Sequence, residues 1–209
     1  MKAAGLDVGR TLKSLSLKQL LVRIAEEYLW WMVRSLPGFS GVYLRYFFVK
    51  LCAERVEGFC WISRGCTFAN TYNLTLGKQV SFGRNVLLDA LGGLTIGTNS
   101  GVGPNAVILA QEHSVVDRDP LGNSGHRSKP IVIGSNVFVG AATFLKAGIT
   151  VGDDAVIAAN SNVVMDVPKG GWVIGVPARP YPQVMRELLL AQRKAAGAAA
   201  PRSEAGPTS

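Results

Sequence analysis

The chain has 209 residues, 48% of them apolar and 17% charged, a balance that supports a folded core and excludes disorder throughout. The formal net charge of +8 comes mainly from the two ends, because residues 61–177 carry eight Lys/Arg against seven Asp/Glu. The three cysteines lack metal-ligand spacing, the first residues lack the apolar run of a signal peptide, and no apolar run of about twenty residues predicts a membrane span. We therefore expect a cytoplasmic protein with reduced thiols. No nucleic-acid-binding motif is present, so we expect no nucleic-acid partner, and the basic ends favour phosphates or anionic lipid headgroups.

Two helical segments are predicted before the central part of the chain. Residues 14–34 place apolar side chains at helical spacings and end at a Pro-Gly dipeptide. Residues 43–55 are rich in Leu, Phe and Tyr and carry three Lys/Arg. We expect residues 1–60 to form an arm and a helical cap, because a bare repeat array exposes its apolar core. The aromatic and basic composition also fits peripheral contact of residues 14–55 with the inner face of a membrane, and the two roles are compatible.

A period of six residues runs through the middle of the chain. From Ile133 an aliphatic side chain recurs at every sixth position, and a small or β-branched residue follows four places after each. The aliphatic positions are Ile133, Val139, Leu145, Val151, Ile157 and Val163, and earlier series are Leu76, Phe82, Leu88 and Ile96, Val102, Ile108. An α-helix or a single strand does not have this period, whereas stacked repeats do. The pattern predicts an all-β solenoid over residues 61–177, with three six-residue sides in each turn.

The period is interrupted once, directly after a histidine. The chain has two histidines, His113 and His126, and His113 ends the six-residue unit that begins at Ile108. A polar insertion, residues 114–130, follows before the period resumes. Loops held on rigid scaffolds often carry function. The insertion therefore favours a functional His113 over a corner residue that only bonds the backbone.

The chain leaves the predicted solenoid near residue 178. We expect residues 178–195 to form an extension. It contains a short helix at 183–195, which the pattern predicts because apolar residues fall on one side of it and basic residues elsewhere. Residues 196–209 are rich in Ala, Pro, Ser and Gly, a composition that predicts a disordered tail.

Several motifs together resemble the hexapeptide-repeat acyltransferases. The motifs are Gln111-Glu112-His113-Ser114, the segment from Pro130 through Gly134 to Phe138-Val139-Gly140, the segment from Ile157 to Pro168, and Gly175-Val176-Pro177-Ala178-Arg179. The resemblance covers about residues 60–180. It is nearest to the branch that O-acetylates surface polysaccharide and lipopolysaccharide sugars, beside the galactoside and maltose acetyltransferases. It implies a left-handed parallel β-helix, which is an exception to the right-handed crossover rule. It also implies a homotrimer whose sites lie between the β-helices of neighbouring subunits.

The resemblance also implies a reaction, the transfer of an acetyl group from acetyl-CoA to a sugar hydroxyl. It implies that His113 removes the hydroxyl proton while that oxygen attacks the thioester directly, in a ternary complex. We expect Asp89 on the same edge of the prism, where it contacts the acceptor, orients the histidine or only caps a turn. No metal is expected. Cys60 and Cys66 lie near the first turn, which disfavours a cysteine nucleophile.

The coenzyme A site is likewise implied by the resemblance. The residues expected to form it are Phe138, Ala141, Ala159, Asn160, Ser161 and Arg179. Among them the backbone N–H of Ala141 stands where the family stabilises the oxyanion, and Arg179 stands near the nucleotide phosphates. Met165 occupies a position where many family members have Lys, which leaves Lys146 or Arg186 as a substitute phosphate contact.

Three other interpretations of the fold were compared with this one. A carbonic anhydrase on a β-helix needs three histidine ligands for zinc, and the chain has two histidines. Acyl transfer to an amine, as in N-acyltransferases of nucleotide sugars, remains an alternative, although the polar insertion and the aromatic, basic cap favour a glycan hydroxyl. A non-catalytic scaffold is disfavoured by His113 with its insertion and by Arg179. The sequence fixes neither the acceptor nor the length of the acyl chain.

Overall fold

The computed structural model describes residues 16–113, 126–187 and 190. Two helices precede a parallel β-solenoid, and residues 181–187 form a helical segment after it. The predicted arm at residues 1–12, most of the insertion and the tail at 196–209 lie outside the described residues. Of the C-terminal helix predicted at 183–195, the described part is helical and begins at residue 181.

The helices are α1 (Leu17–Arg34) and α2 (Gly38–Cys52), and the strands that follow, each of two or three residues, form three faces of a prism. Face A contains β1 (Arg55–Val56), β4 (Leu74–Leu76), β7 (Leu94–Ile96), β12 (Ile131–Ile133) and β15 (Thr150–Val151). Face B contains β2 (Trp61–Ile62), β5 (Ser81–Phe82), β8 (Gly101–Val102), β13 (Phe138–Val139), β16 (Val156–Ile157) and β18 (Trp172–Ile174). Face C contains β3 (Thr67–Ala69), β6 (Leu87–Asp89), β9 (Val107–Leu109), β14 (Phe144–Leu145) and β17 (Asn162–Val163). Two antiparallel additions are the pair β10 (Gln111–His113) with β11 (His126–Ser128), and β19 (Arg179–Pro180) on β18.

The coils stack with their inward aliphatic side chains in register. On face C, Leu88 pairs with Ile108, which pairs with Leu145, which in turn pairs with Val163. All four side chains are completely buried. This arrangement confirms the solenoid that the six-residue period predicts, a left-handed parallel β-helix of hexapeptide repeats.

The corners of the prism use residues that tolerate a left-handed backbone. Asn85, Asn99, Asn105 and Asn136 each have φ near 58°, a conformation that asparagine adopts more readily than most residues. Their amides also form ladders along two corners, since Asn85 Nδ2 donates to Asn105 Oδ1 at 3.3 Å and Asn99 Nδ2 donates to Asn136 Oδ1 at 3.0 Å. The corners are therefore fixed columns, and each residue on a corner keeps its place from coil to coil.

The two helices pack against the first coil at the N-terminal end of the prism. Trp30 on α1 is 3% exposed, stacks on Phe68 with ring centroids 5.4 Å apart, and donates its indole N–H to the carbonyl of Cys66 at 3.0 Å. Arg45 on α2 is also buried and donates from Nε to the carbonyl of Ile62 at 2.8 Å. The cap closes the apolar interior and pairs with backbone groups at the exposed end of the first coil.

Three predicted boundaries differ from the structure. Helix α2 spans Gly38–Cys52 rather than residues 43–55, because its first turn contains Gly38 and Gly41, whose low helix propensity conceals the start of the helix in the sequence. The solenoid begins at residue 55 rather than 61, because β1 already pairs with β4. The excursion that contains the insertion begins at Gln111 rather than at residue 114, because residues 111–113 form β10 and leave the prism.

The stacked core gives a first prediction. Leu145→Ala removes a completely buried side chain between Ile108 and Val163, and should lower the free energy of unfolding by about 2–5 kcal/mol. Urea unfolding followed by circular dichroism measures this loss. The control is Val164→Ala, since Val164 is the next residue after a core position but is 39% exposed. It should change stability by about 0.5 kcal/mol or less. Equal losses in the two variants would contradict the inward packing.

Candidate active site

The histidine that ends the interrupted repeat lies on a β-hairpin at the corner between faces C and A. We call β10 and β11 the histidine hairpin; in it His113 is paired with His126. The hairpin is attached to the prism at Ala110, whose N–H donates to the carbonyl of Asp89 at 2.9 Å, and whose carbonyl accepts from the N–H of Lys129 at 3.1 Å. Backbone pairing therefore holds His113 outside the prism, just above the coil that contains Asp89.

Asp89 connects two coils to the base of this hairpin. Its Oδ1 accepts hydrogen bonds from Asn70 Nδ2 at 2.6 Å and from the N–H of Leu91 at 2.9 Å. Its Oδ2 accepts from the side-chain amide of Gln111, the first residue of β10. Three donors thus surround the carboxylate. The third of these bonds holds the side chain of Gln111 in place, and Gln111 is two residues before His113 in the chain. The prediction that Asp89 contacts the acceptor or the imidazole stays a prediction.

The network continues from Asn70 to helix α1. Asn70 Oδ1 accepts from Arg23 Nη2 at 2.9 Å and from the hydroxyl of Tyr72 at 2.9 Å. Glu26 accepts from the N–H groups of Asn70 at 2.9 Å and Thr71 at 2.6 Å. A chain of polar contacts therefore joins the cap to the base of the histidine hairpin.

No sequence pattern assigned a role to the residues of this network. They are Arg23, Glu26, Asn70 and Gln111. One signal was available, because Asn70 lies 19 residues before Asp89 and therefore about one coil beneath it. No comparable signal pointed to the contribution of α1, since it depends on how the cap docks.

The predicted substitutes for the missing phosphate lysine lie in different places. Lys146 is beside the histidine hairpin, where its Nζ is 3.3 Å from Glu112 Oε2. Met165 is exposed, and Arg186 is exposed on the C-terminal helical segment. The ion pair of Lys146 favours a role in positioning β10 over a role at the nucleotide end.

The corner between faces B and C forms a second edge, which we call the B–C edge. Its coils are joined by backbone hydrogen bonds from Asn85 N to Arg64 O at 3.3 Å, Asn105 N to Arg84 O at 2.8 Å, Ala142 N to Pro104 O at 2.9 Å, and Asn160 N to Ala141 O at 2.8 Å. Among the described residues, the N–H groups of Ala141 and Ala159 have no hydrogen-bond acceptor. At the corner between faces A and B, side chains cap two of the equivalent amides: Ser135 N donates to Asp153 Oδ1 at 2.8 Å, and Lys78 N donates to Thr98 Oγ1 at 3.3 Å. The B–C edge therefore offers backbone donors to a ligand.

Glycines keep this edge free of side chains. A Cβ on Gly103 would lie 2.6 Å from the nitrogen of Ala141, and a Cβ on Gly140 would lie 2.4 Å from the nitrogen of Ala159. Since these neighbours are backbone atoms of the next coil, a larger residue would displace the two donors. An extended ligand can approach this part of the edge closely, because the segments Gly140–Ala142 and Ala158–Ala159 carry no side chain larger than a methyl group.

The other predicted coenzyme residues surround this edge in different ways. Phe138 is 56% exposed on face B, and Asn160 is exposed at the corner. Ser161 is buried, and its hydroxyl donates to the carbonyl of Ala158 at 2.7 Å, so its side chain faces the protein. Arg179 forms a bidentate pair with Glu187, at 3.0 and 2.9 Å, at the C-terminal end of the prism.

The cysteines are placed and protonated in a way that disfavours a nucleophilic role. Burial raises the pKa values of Cys60 and Cys66 to about 11, and both thiols are completely buried at the first coil. The thiolate, which is the reactive form, is therefore scarce at neutral pH. Within residues 16–113 and 126–187, no three His, Cys, Asp or Glu side chains are grouped to hold a metal ion.

The two candidate halves of the site lie at opposite ends of face C. The histidine hairpin leaves one end, and Ala141 stands at the other end, about 16–20 Å away by the length of a six-residue extended side. A single chain therefore does not bring His113 to the amide of Ala141.

Known proteins contain the same repeat. Residues 130–164 match a family described as the hexapeptide repeat of succinyl-transferase. The chain is 31% identical over 128 residues to the galactoside O-acetyltransferase of Escherichia coli (strain K12), which covers 61% of this chain and 61% of that protein. It is 28% identical over 154 residues to WcaF of the same strain, covering 72% of this chain and 82% of that protein. The name of WcaF describes it as a colanic acid biosynthesis acetyltransferase.

A solved structure shows the same fold. The hexapeptide-repeat acetyltransferase of Vibrio cholerae, in complex with acetyl coenzyme A, matches with a TM-score of 0.69 at 24% identity, over 79% of this chain and 88% of that one. The chain spans less than two thirds of the galactoside enzyme. The repeat and the relatives confirm the resemblance to the hexapeptide-repeat acyltransferases, and the structural match confirms the β-helix.

The contacts of Asp89 give a second prediction. In Asp89→Asn an amide nitrogen replaces one carboxylate oxygen, so at least one of its three donors loses its acceptor. The free energy of unfolding should fall by about 1–3 kcal/mol. Urea unfolding measures this change. The control is Asp154→Asn, which weakens an exposed pair with Lys169 while its remaining oxygen can still accept from Asn136 Nδ2, so the change should cost about 0–1 kcal/mol. Equal effects would reduce Asp89 to an ordinary corner residue.

Proposed function

We propose that this protein transfers an acetyl group from acetyl-CoA to a hydroxyl group of a sugar in a cell-surface glycan or glycolipid. The observation that carries the proposal is the pair of unpaired amides, Ala141 and Ala159, on a glycine-lined edge. Such an edge suits the extended arm of coenzyme A. The names of the galactoside O-acetyltransferase and of WcaF support a sugar acceptor and surface polysaccharide.

The proposed chemistry is direct acyl transfer. His113 takes the proton of the acceptor hydroxyl, and that oxygen forms a bond to the thioester carbonyl carbon. The N–H of Ala141 stabilises the negative oxygen of the tetrahedral species. The carbon–sulfur bond then breaks, and the leaving thiolate receives the proton that His113 holds. Asp89 assists by fixing the hairpin through Gln111, which orders the histidine before the substrates bind.

The coenzyme is proposed to extend along the B–C edge. Its arm contacts Ala159 and Asn160 and the backbone near Ser161, beside the exposed ring of Phe138. Its phosphates lie near Arg179 at the C-terminal end. Glu187 accepts two hydrogen bonds from that guanidinium. A bound phosphate therefore either displaces this carboxylate or shares the guanidinium with it.

The assembly proposed for this reaction is a homotrimer. Since His113 and Ala141 lie at opposite ends of face C, the proposal needs the B–C edge of one subunit to face the histidine hairpin of the next. A cyclic threefold arrangement repeats this contact and closes it. The separation of the two halves supports a site that two subunits share.

The helical cap is proposed to rest on the inner face of a membrane. Large apolar side chains are exposed along both helices: Leu17, Leu21, Ile24, Tyr28 and Trp31 on α1, and Phe39, Tyr43, Phe47 and Leu51 on α2. We call them the exposed stripe. The two helices contain five Lys/Arg, of which Arg45 is buried, and two Glu, of which Glu26 is engaged with Asn70 and Thr71. No described helix combines the length and apolar character needed to cross a bilayer. Aromatic groups with surrounding cations suit an anionic lipid surface.

The catalytic proposal gives a third prediction. His113→Ala should lower acceptor-dependent thiol release from acetyl-CoA by about 10²–10⁴-fold, because the general base is lost. The assay uses a panel of glycosides, amino sugars and amino acids. The control is His126→Ala, which changes the paired histidine of the same hairpin. Sedimentation must give three times the chain mass of 22.2 kDa for all variants. Loss of activity in His126→Ala but not in His113→Ala would show that His113 is not the general base. Failure of the wild type to bind acetyl-CoA would contradict the proposed function.

The membrane proposal gives a fourth prediction. The double variant Trp31→Ser with Phe47→Ser should reduce cosedimentation with vesicles of phosphatidylcholine and phosphatidylglycerol by about tenfold or more, since burying one aromatic side chain contributes about 1.5–3 kcal/mol. The control is Val132→Ser, because Val132 is 41% exposed on face A, away from the cap. Unchanged vesicle binding in the double variant, or no binding by the wild type, would contradict the proposal.

A further inference from the structure

A cavity of about 200 Å³ lies where helix α2 begins, against the first two coils. We call it the arginine pocket. The residues that line it include Gly38, Phe39, Arg45, Trp61, Arg64 and Arg84. Within the described part of the chain, no Asp or Glu lines the pocket. Three cationic side chains without an acidic one give it a strongly positive character.

Arg64 and Arg84 occupy the same column of the B–C edge. The N–H of Asn85 donates to the carbonyl of Arg64, and the strands that precede the two arginines pair in register. Their backbones are therefore about 4.8 Å apart, the spacing of neighbouring strands. Neither guanidinium has an ion-pair partner among the described residues. Two adjacent like charges repel each other, and an anion bound between them removes that cost.

Arg45 forms the inner wall and is 1% exposed. Its Nε donates to the carbonyl of Ile62, and its Nη1 donates to the carbonyls of Val33 at 3.1 Å and Leu36 at 2.8 Å. In the described part of the chain, Nη2 has no hydrogen-bond partner and the guanidinium has no carboxylate partner. The neighbouring thiol of Cys66 supplies no negative charge, because burial raises its pKa to about 11.

Among the described residues, the buried positive charge of Arg45 has no counter-ion. Burial lowers the pKa of Arg45 from its ordinary value, yet a guanidinium stays protonated at neutral pH. Carbonyl dipoles satisfy part of its hydrogen-bonding capacity and offset part of its charge, but no carboxylate among the described residues neutralises it. A buried cation without a counter-ion is costly, whereas one with an anion is stabilised.

Helix α2 adds a fourth positive element. Its N-cap residue, Pro37, makes no side-chain hydrogen bond to the first turn, and that turn contains no acidic residue. The positive end of the 15-residue helix therefore lacks both of the usual compensations. Backbone N–H groups at such an end bind anions readily. Phe39 and Trp61 close the outer side with an edge contact between rings 6.0 Å apart.

We propose that the arginine pocket binds a phosphate or diphosphate group. Arg64 and Arg84 contact the anion from the B–C edge, Arg45 from the inner wall, and the first turn of α2 from above. Planar guanidinium groups match phosphate oxygens in pairs, which favours phosphate over a smaller anion.

The position of the pocket also suggests which molecule carries the phosphate, a step that rests on the proposed function. Arg84 lies two coils below Ala141 on the same edge, about 10 Å away by strand spacing. The phosphates of coenzyme A belong near Arg179, at the opposite end of the prism. The bound anion is therefore a phosphate of the acceptor, as in a glycan linked through phosphate to a lipid or to a soluble group.

The test measures anion binding without acetyl-CoA, so it is independent of acyl transfer. Calorimetry with the full chain uses pyrophosphate at constant ionic strength. Arg84→Gln and Arg64→Gln should each weaken binding by about tenfold or more, because each removes a charge-assisted contact. The control is Lys78→Gln, which removes one positive charge from the same coil at the corner between faces A and B. It should leave the affinity unchanged.

Vesicles separate the two sources of phosphate. One outcome is that the wild type and Lys78→Gln bind free pyrophosphate and the arginine variants bind it weakly. This outcome supports a pocket for soluble phosphates. The other is that the wild type and Lys78→Gln bind only vesicles with phosphatidic acid, more than neutral vesicles, and that the arginine variants lose this binding, which supports a lipid-linked phosphate. Binding of neither probe by the wild type, or equal weakening by Lys78→Gln, would overturn the proposal. Absence of acyl transfer with retained anion binding would instead reject the enzymatic function alone.

Discussion

Every other feature of this protein depends on the hydrogen-bonded stacking of one coil on the next. Because each coil repeats the backbone of the coil below, a residue inherits its position from its column. Leu145 is fixed by Ile108 beneath it and Val163 above it, and the same holds for residues on the corners. The apolar interior supplies the stabilisation, since the aliphatic side chains of these columns are completely buried. The three corners therefore differ mainly in the side chains that they carry and, at one corner, in an inserted hairpin.

The three corners have become chemically distinct. At the corner between faces A and B, side chains cap two backbone amides, since Asp153 accepts from the N–H of Ser135 and Thr98 accepts from the N–H of Lys78. At the B–C edge, glycine and alanine leave Ala141 and Ala159 with free amides. At the third corner the chain leaves the prism as the histidine hairpin. A rigid scaffold can separate structural and functional edges in this way because a change of side chain at one corner does not disturb the others.

The N-terminal cap is more than a plug for the apolar interior. Trp30 closes the first coil, while Arg23 and Glu26 hold Asn70, which in turn holds Asp89 and the base of the hairpin. The same cap buries Arg45 without a carboxylate and exposes the apolar side chains of both helices. Stability of the end of the prism, order in the hairpin and the chemistry of the arginine pocket are therefore coupled through two helices. The coupling arises because polar side chains of the two helices, such as Arg23, Glu26 and Arg45, form hydrogen bonds with the prism.

The sequence by itself determined the solenoid, because a six-residue period of inward aliphatic residues has one physical solution and is local along the chain. It also indicated His113, since an interruption next to a histidine is visible without coordinates. The family resemblance pointed to Ala141 and Arg179, but the absence of an acceptor for the amide of Ala141 and the pairing of Arg179 with Glu187 are three-dimensional facts. Only the tertiary structure decided that Asp89 joins Asn70 to Gln111, and that Arg45, Arg64 and Arg84 surround one cavity. Such groupings bring together residues from the cap and from different coils, and their contacts depend on docking angles and side-chain directions that no short-range pattern encodes.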